Sequence, residues 1–425
     1  MKGYQTPETV EKAYSFAKTA YAAFGVNTDN MIKAALDIPI SINCWQGDDI
    51  NGFEESEGGA SGGILATGNY LGRARNGDEL RADAEFAFSL IPGKKRFNLH
   101  ALYAETGGRK VPRDEITPEH FKTWMSWSKE KKIPLDFNPT CFSHPMTDTG
   151  FTLSSADPKI RQFWIRHCKA SRAVASAFGA NQGVSSVNNI WVPDGYKDIP
   201  ADRLAPRQRL KDALDEILSV KLDSNTITDA VESKLFGIGS ESYVTGSHEF
   251  YMGYTSSKKI WLCLDAGHFH PTEALADKIS ACMLFIPGLL IHFSRGIRWD
   301  SDHVAIFSDE LRELCREITR GKYLDRMSIA LDFFDASINR IAAWTIGTRA
   351  VRKGFLESLL EPVKLLFDAE QSGKYYERLA LMEELKTLPF AAVWDKLCLD
   401  SGAPVGIEWM EKVDQYEKST LVLRK

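Results

Sequence analysis

Residues 260–270 read IWLCLDAGHFH and residues 289–296 read LLIHFSRG. In each, a short aliphatic run passes directly into ionisable groups. Such runs are apolar on both faces, the pattern of a strand covered by helices in a parallel sheet. Six more occur, at 38–45, 96–103, 133–138, 184–192, 227–236 and 327–334. Between them lie segments with apolar residues three and four apart, such as 160–178 and 310–318, and helix starts such as Thr117 before Pro118 and Glu119. Alternating strands and helices predict an α/β protein. Eight units in succession, with no GxGxxG opening the first crossover, favour a closed (β/α)8 barrel over an open doubly wound sheet.

Past Asn339 the pattern becomes helical, with apolar Phe355, Leu359, Leu366 and Leu381 at helical spacing and Pro362 marking a kink or break. The expected division is residues 1–344, a barrel with an N-terminal helix, and residues 345–425, a helical extension packing on the barrel or at an oligomer interface.

The remaining composition excludes several classes. Hydrophobic residues at 44% and charged residues at 26% are ordinary for a folded globular chain of 425 residues. Basic residues number 52 against 57 acidic ones, a net charge of -5 with no dense basic tract, so nucleic acid is not an expected partner. The apolar stretch 282–293 is shorter than the roughly 20 residues a membrane span needs, and Pro287 interrupts it. The first twelve residues carry charges and no apolar leader core, so a cytoplasmic protein is expected. Seven scattered cysteines without a CxxC pair read as reduced, buried thiols. Gly58, Gly59, Gly62 and Gly63 are not followed by Lys-Ser/Thr, so they suit a loop over the barrel mouth better than a phosphate cradle.

In a barrel of this kind, functional groups project from the C-terminal ends of the strands. The runs here end in Glu232 and Lys234, in Asp265, His268 and His270, in His292, then Asp300, Asp302 and His303, and finally Asp332 and Asp335. Taken singly, His270, His303 or Asp335 read as helix caps or satisfied polar groups. As a set, the carboxylates repel one another and lose hydration, which requires bound cations or protonation of several of them. Divalent metal is the simpler solution. Asp-x-Asp at 300 and 302 and Asp-x-x-His at 265 and 268 suit two ions with oxygen and imidazole ligands. That donor set favours Mn2+ over Mg2+, with Co2+ or Zn2+ as substitutes, and the lack of cysteine at these positions argues against a structural zinc cage.

The segments 44–49 (CWQGDD), 98–100 (NLH), 136–145 (DFNPTCFSHP), 231–236 (VESKLF), 264–271 (LDAGHFHP), 298–303 (RWDSDH) and 331–335 (LDFFD), with 339–344 and 388–390 in the extension, closely resemble the L-rhamnose isomerase family. The resemblance implies a (β/α)8 barrel, usually a homotetramer, that interconverts L-rhamnose and L-rhamnulose with two divalent ions. By position, it places the catalytic metal on His268, Asp300 and Asp302 and the structural metal on Glu232, Asp265, His292 and Asp332. It counts His100, as the ring-opening histidine, and Lys234, beside the substrate oxygens, with Asp302 and Asp332 as catalytic. Trp191 becomes an apolar platform under the sugar, with barrel packing as its alternative role, and Ile50, Ala60 and Ile64 become a pocket for the sugar's methyl group.

The reaction expected is an aldose-ketose isomerisation in which hydrogen moves between C2 and C1 as a hydride. Asp335 or His270 would be the place to look for a side-chain base if it does not. The same metal cluster would serve an isomerase or epimerase of another aldose. A metal-dependent barrel endonuclease is disfavoured by the charge, and a non-catalytic sugar-binding or scaffold protein by the second ion.

Overall fold

The computed structural model describes residues 5–54, 68–234, 242–296 and 302–424. Eight parallel strands close into a barrel: β1 Ile40–Asn43, β2 Lys95–His100, β3 Leu135–Asn138, β4 Ser186–Ile190, β5 Ile227–Glu232, β6 Trp261–Asp265, β7 Leu289–Phe293 and β8 Met327–Leu331. Each pairs with the next, and β8 closes on β1 through Ile329 opposite Ile40. All eight apolar runs fall on these strands. After β1 and β2 the buried chain continues in another conformation: Cys44–Gly47 and Ala101–Tyr103 turn into 3-10 helices packed inside. Apolarity reports burial before it reports extension. The antiparallel pair Gly195–Tyr196 and Tyr243–Val244 is too short to leave a period in the sequence.

The crossover helices follow their end signals. Pro158–Gln182 starts on Asp157, whose carboxylate accepts from Lys159 N, and ends at Gly183 with φ +71. A Cβ on Gly179 would meet Thr226 O at 1.8 Å, so this helix lies against the chain entering β5.

The chain's last quarter is helical. Arg340–Leu359 runs through position 344, and Trp344 donates from Nε1 to Asn43 O at the end of β1. Pro362 breaks the helical pattern, because Val363–Gln371 is a separate helix. A second apolar cluster joins the N-terminal helix Pro7–Ala22 (Val10, Tyr14, Ala17, Tyr21) to Leu356, Leu360, Val393, Trp394 and Leu397. Phe355 and Leu366 are buried within the chain. The large apolar residues left in solvent on the two helices after Pro362 are Leu365, Phe367, Tyr375, Tyr376 and Leu379. All seven cysteines are free and buried. Among the described residues no helix is long and apolar enough to cross a membrane.

Candidate active site

Strand periodicity builds the site. Inside the barrel an apolar floor is made by Val187, Ala230, Cys263, Leu290 and Ala330. Side chains two residues further along a strand point the same way. The residues two further on from β5 to β8 are Glu232, Asp265, His292 and Asp332; the register sets Asp265 opposite His292 and is staggered elsewhere, with Glu232 opposite Cys263 and Ala330 opposite His292. One ligand atom from each of the four lies within 4.8 Å of the others. His292 Nδ1 is 3.0 Å from Asp332 Oδ2, 3.4 Å from Asp265 Oδ2 and 3.5 Å from Glu232 Oε1.

The supports around this layer fix one oxygen of each of two acids and leave the other facing the centre. Asn189 Nδ2 donates to Glu232 Oε2, while Gly267 N and Ser294 Oγ donate to Asp265 Oδ1. Glu232 Oε1 and Asp265 Oδ2 are buried and accept no hydrogen bond among the described residues. Burial raises the Asp332 carboxyl pKa. Burial works the same way on Glu232, but neighbouring His292 and His268 outweigh it and hold that carboxyl low. Burial opposes a charged His292, yet the acids beside it, Glu232 and Asp332 among them, pull its pKa well above the ordinary imidazole value. Three carboxylates and an imidazole with inward-facing oxygens fit a hard divalent cation, whose charge would offset the repulsion and whose coordination would use those oxygens.

A second group lies one step outward. Asp265, His268 and Asp302 also bring ligand atoms within 4.8 Å of one another. His268 Nδ1 is 3.0 Å from Ser233 O and 3.1 Å from Glu232 Oε1. Donation to that carbonyl fixes the tautomer and turns Nε2 towards Asp302 Oδ1, 4.0 Å away. Asp300, Ala60, Ile64 and the Gly58–Gly63 stretch lie outside the described residues.

The opposite side of the mouth is aromatic. His100, at the end of β2, packs edge-on against Trp45 at 4.7 Å and Phe142 at 5.5 Å, and Phe142 meets Trp191 at 6.0 Å. His100 Nδ1 is 3.2 Å from Thr140 Oγ1, and burial pushes its pKa down to about 3, so the ring is neutral. Lys234 is buried and donates from Nζ to Pro193 O at 2.9 Å. Ile50, 8% exposed, lies in the loop after β1.

Three groups read as caps behave so or bind locally. Asp335 Oδ1 accepts from Ser337 N and Oγ, His270 Nδ1 is 2.7 Å from Thr272 Oγ1, and His303 exchanges backbone hydrogen bonds with Arg295. None of them joins either ligand group among the described residues.

Sequence reasoning missed Cys263. The positions expected to hold ions carry no cysteine, but Cys263, two residues before Asp265, groups with Glu232 and His292 from below. Its position two residues before Asp265 was the available signal. Burial raises its thiol pKa well above normal, so it is a neutral floor residue. Asn189 and Ser294 were also missed, since a supporting amide or hydroxyl has no signature of its own.

Comparison with known proteins gives a consistent result. The L-rhamnose isomerase (RhaA) family model matches residues 8–424. An L-rhamnose isomerase from Escherichia coli O17:K52:H18 is 58% identical over 415 residues, covering 98% of this chain and 99% of that one. One from Escherichia fergusonii has the same identity and coverage, and one from Salmonella paratyphi B is 57% identical with the same coverage. With residues 8–424 matched by the family model and 98% of its length covered at 58% identity, the chain belongs to the L-rhamnose isomerase family.

Proposed function

We propose that this protein interconverts L-rhamnose and L-rhamnulose, with Glu232, Asp265, His292 and Asp332 holding one divalent ion and His268, Asp302 and Asp300 holding a second. The observation that carries this reading is the pair of adjacent acid-imidazole groups at the C-terminal mouth of the barrel, in a chain of this family. When bound, the two ions would supply Lewis acidity to the sugar's O1 and O2.

The chain's own residues do the rest. Neutral His100 presents an imidazole able to pass a proton at the ring oxygen during opening. Lys234 is placed to stabilise negative charge on a substrate oxygen. Trp45, Phe142 and Trp191 exclude water from the sugar's apolar side. Ile50, with Ala60 and Ile64, takes the methyl group. Because the acids at the mouth are committed to ligation, hydrogen passes from C2 to C1 within the substrate.

Mn2+ is the proposed ion, with Co2+ or Zn2+ as substitutes. The proposed assembly is a cytoplasmic homotetramer, and the exposed Phe367, Tyr375, Tyr376 and Leu379 support contact with another copy through the extension. The proposed units are a barrel, residues 1–344, and a helical extension, residues 345–425.

The test is turnover of L-rhamnose with added Mn2+, using substrate deuterated at C2. The expected product is L-rhamnulose keeping most of its label at C1. Absence of ketose with any divalent ion would overturn the function, and conversion of another aldose alone would reassign the substrate. Early loss of label to solvent would overturn only the hydrogen path.

A further inference from the structure

Asp194 lies in the loop after β4, is buried, and joins neither ligand group among the described residues. Both of its carboxylate oxygens are saturated. Oδ1 accepts from Thr152 N at 2.8 Å and Thr152 Oγ1 at 2.5 Å, and Oδ2 accepts from Ser154 N at 2.8 Å and Ser154 Oγ at 2.5 Å. Four donors converging on two oxygens suit an ionised carboxylate and not an amide, whose own NH2 would meet two of them. Burial pushes the carboxyl pKa up, and these donors work against it.

Packing alone does not call for a buried acid, which is costly to desolvate. The backbone around it does. Pro193 O accepts from Lys234 Nζ at 2.9 Å, Asp194 O accepts from Thr245 N at 2.9 Å, and Gly246 O accepts from Lys234 N at 3.1 Å. Gly195 pairs antiparallel with Val244 beside them. Lys234 is thus held at both ends, its amide by Gly246 and its ammonium by Pro193, and the two holds are joined through Asp194.

That lysine sits where the two ligand groups meet. Glu232, two residues earlier, belongs to the deeper group, and the intervening Ser233 O is 3.0 Å from Nδ1 of His268 in the outer group. Pro193 in turn follows Trp191 of the aromatic wall. The ammonium therefore ties the loop of the wall to the strand that carries the ligands.

We propose that Asp194 is a positioning residue for Lys234: by locking the Pro193 carbonyl to the Thr152–Ser154 turn, it holds the ammonium still beside the two ligand groups. The proposal deepens the aldose-ketose reading above and rests on it for what Lys234 does. A lysine head on its four-carbon stem wanders unless it is tied, and a charge displaced by about 1 Å costs rate more than binding.

One arm of the experiment needs no turnover. Mn2+-loaded wild type and D194N are treated with formaldehyde and cyanoborohydride, and methylation of each lysine is followed by mass spectrometry. D194N should react several-fold faster at Lys234, while Lys211 and Lys258 on neighbouring helices keep their rates. An unchanged rate at Lys234 would overturn the proposal.

The other arm is a double-mutant cycle on L-rhamnose with D194N, K234M and the two combined. D194N should lower kcat by about 10- to 100-fold with KM nearly unchanged. In the K234M background the same change should cost little further kcat, because no ammonium is left to misplace. Losses that multiply would mark a merely structural acid and overturn the proposal. Should D194N not fold, S154A, which deletes one donor and keeps the carboxylate, replaces it in both arms with smaller changes in the same directions. Wild-type enzyme inert on every aldose would overturn the function itself, and K234M as active as wild type would overturn the role of Lys234. In either case, or with no turnover left in K234M, the labelling decides whether Asp194 holds the ammonium.

Discussion

His100 ends β2 and His292 lies on β7 of the same barrel, and both are buried. Burial disfavours the charged form of each, yet they end up on opposite sides of the ordinary imidazole pKa. His100 has Trp45, Phe142, Thr140 and Asn138 around it and is pushed down to about 3. His292 has Glu232, Asp265 and Asp332 around it and is raised. Burial lowers both, and the neighbouring charges decide the sign of the net shift. The β1–β4 half is thus a neutral, aromatic wall that shapes a ligand. The β5–β8 half is an anionic cup that calls for cations.

The sharpest way to break this comparison is to remove charge from the cup. Asp302→Asn, in the outer group, should cost on the order of 10³-fold in kcat with little change in Tm, since it removes a ligand from a substrate-facing position. Asp332→Asn should lower both activity and Tm, because its carboxylate closes the deeper layer against His292. Parallel kinetics and calorimetry check this, and equal losses of Tm would contradict the assignment of the two groups.

Removing the cation tests the same half without mutation. Exhaustive chelation should lower Tm, and returning Mn2+ to about 100 times its Kd should restore roughly 2.7 kcal/mol, the mass-action gain of one ligand bound only to the folded state. A Tm indifferent to chelator and metal would mean that the acids share protons instead.

How much of this was readable in advance follows the same divide. Glu232, Asp265, His292 and Asp332 each end a strand-like run, so periodicity and position together brought them to one layer. Cys263 escaped because an apolar-looking residue two places earlier looks like core, and it is core that happens to touch the site. On the aromatic half, the closing of Trp45, His100, Phe142 and Trp191 into one wall had no such signal: it depends on 3-10 turns and loops after β1, β2 and β3, whose paths a period does not encode. The ion pair between Asp49 and Arg340 spans 291 positions and was invisible for the same reason. Register carries information along a strand; loop closure does not.

The neutral half makes its own prediction about pH. His167 supports the loop after β3: its Nε2 accepts from Thr140 N at 2.9 Å and its Nδ1 faces Arg113 O at 2.8 Å, a pattern only the neutral ring satisfies. Burial pushes its pKa down to about 3, from an ordinary value of 6.5. As pH falls below 6.5 the unfolded state binds the proton first, so stability is full above that pH and lost progressively down to about 3. At pH 5 the loss from this one group is about 2 kcal/mol. His167→Asn should be less stable at pH 7 but show a shallower fall in Tm between pH 7 and pH 5. An identical fall would mean that other groups govern the acid limb.

The smallest effect concerns Trp191 and decides whether the aromatic half only packs or also binds. Its indole ring meets Phe142 edge-on, but its buried Nε1 has no acceptor among the described residues. A buried N–H without a partner carries a desolvation cost, which a ligand oxygen would offset. Trp191→Phe keeps an aromatic face and deletes that donor. If the indole waits for a sugar oxygen, KM should rise about 3- to 10-fold with kcat nearly unchanged, the worth of one neutral hydrogen bond, and Tm should hold or rise because an unsatisfied donor is gone. If Trp191 is barrel packing alone, the smaller ring leaves a cavity, so Tm falls and KM stays where it was. Steady-state kinetics beside a melting curve separate the two, because the predicted changes lie on different observables and, for Tm, have opposite signs.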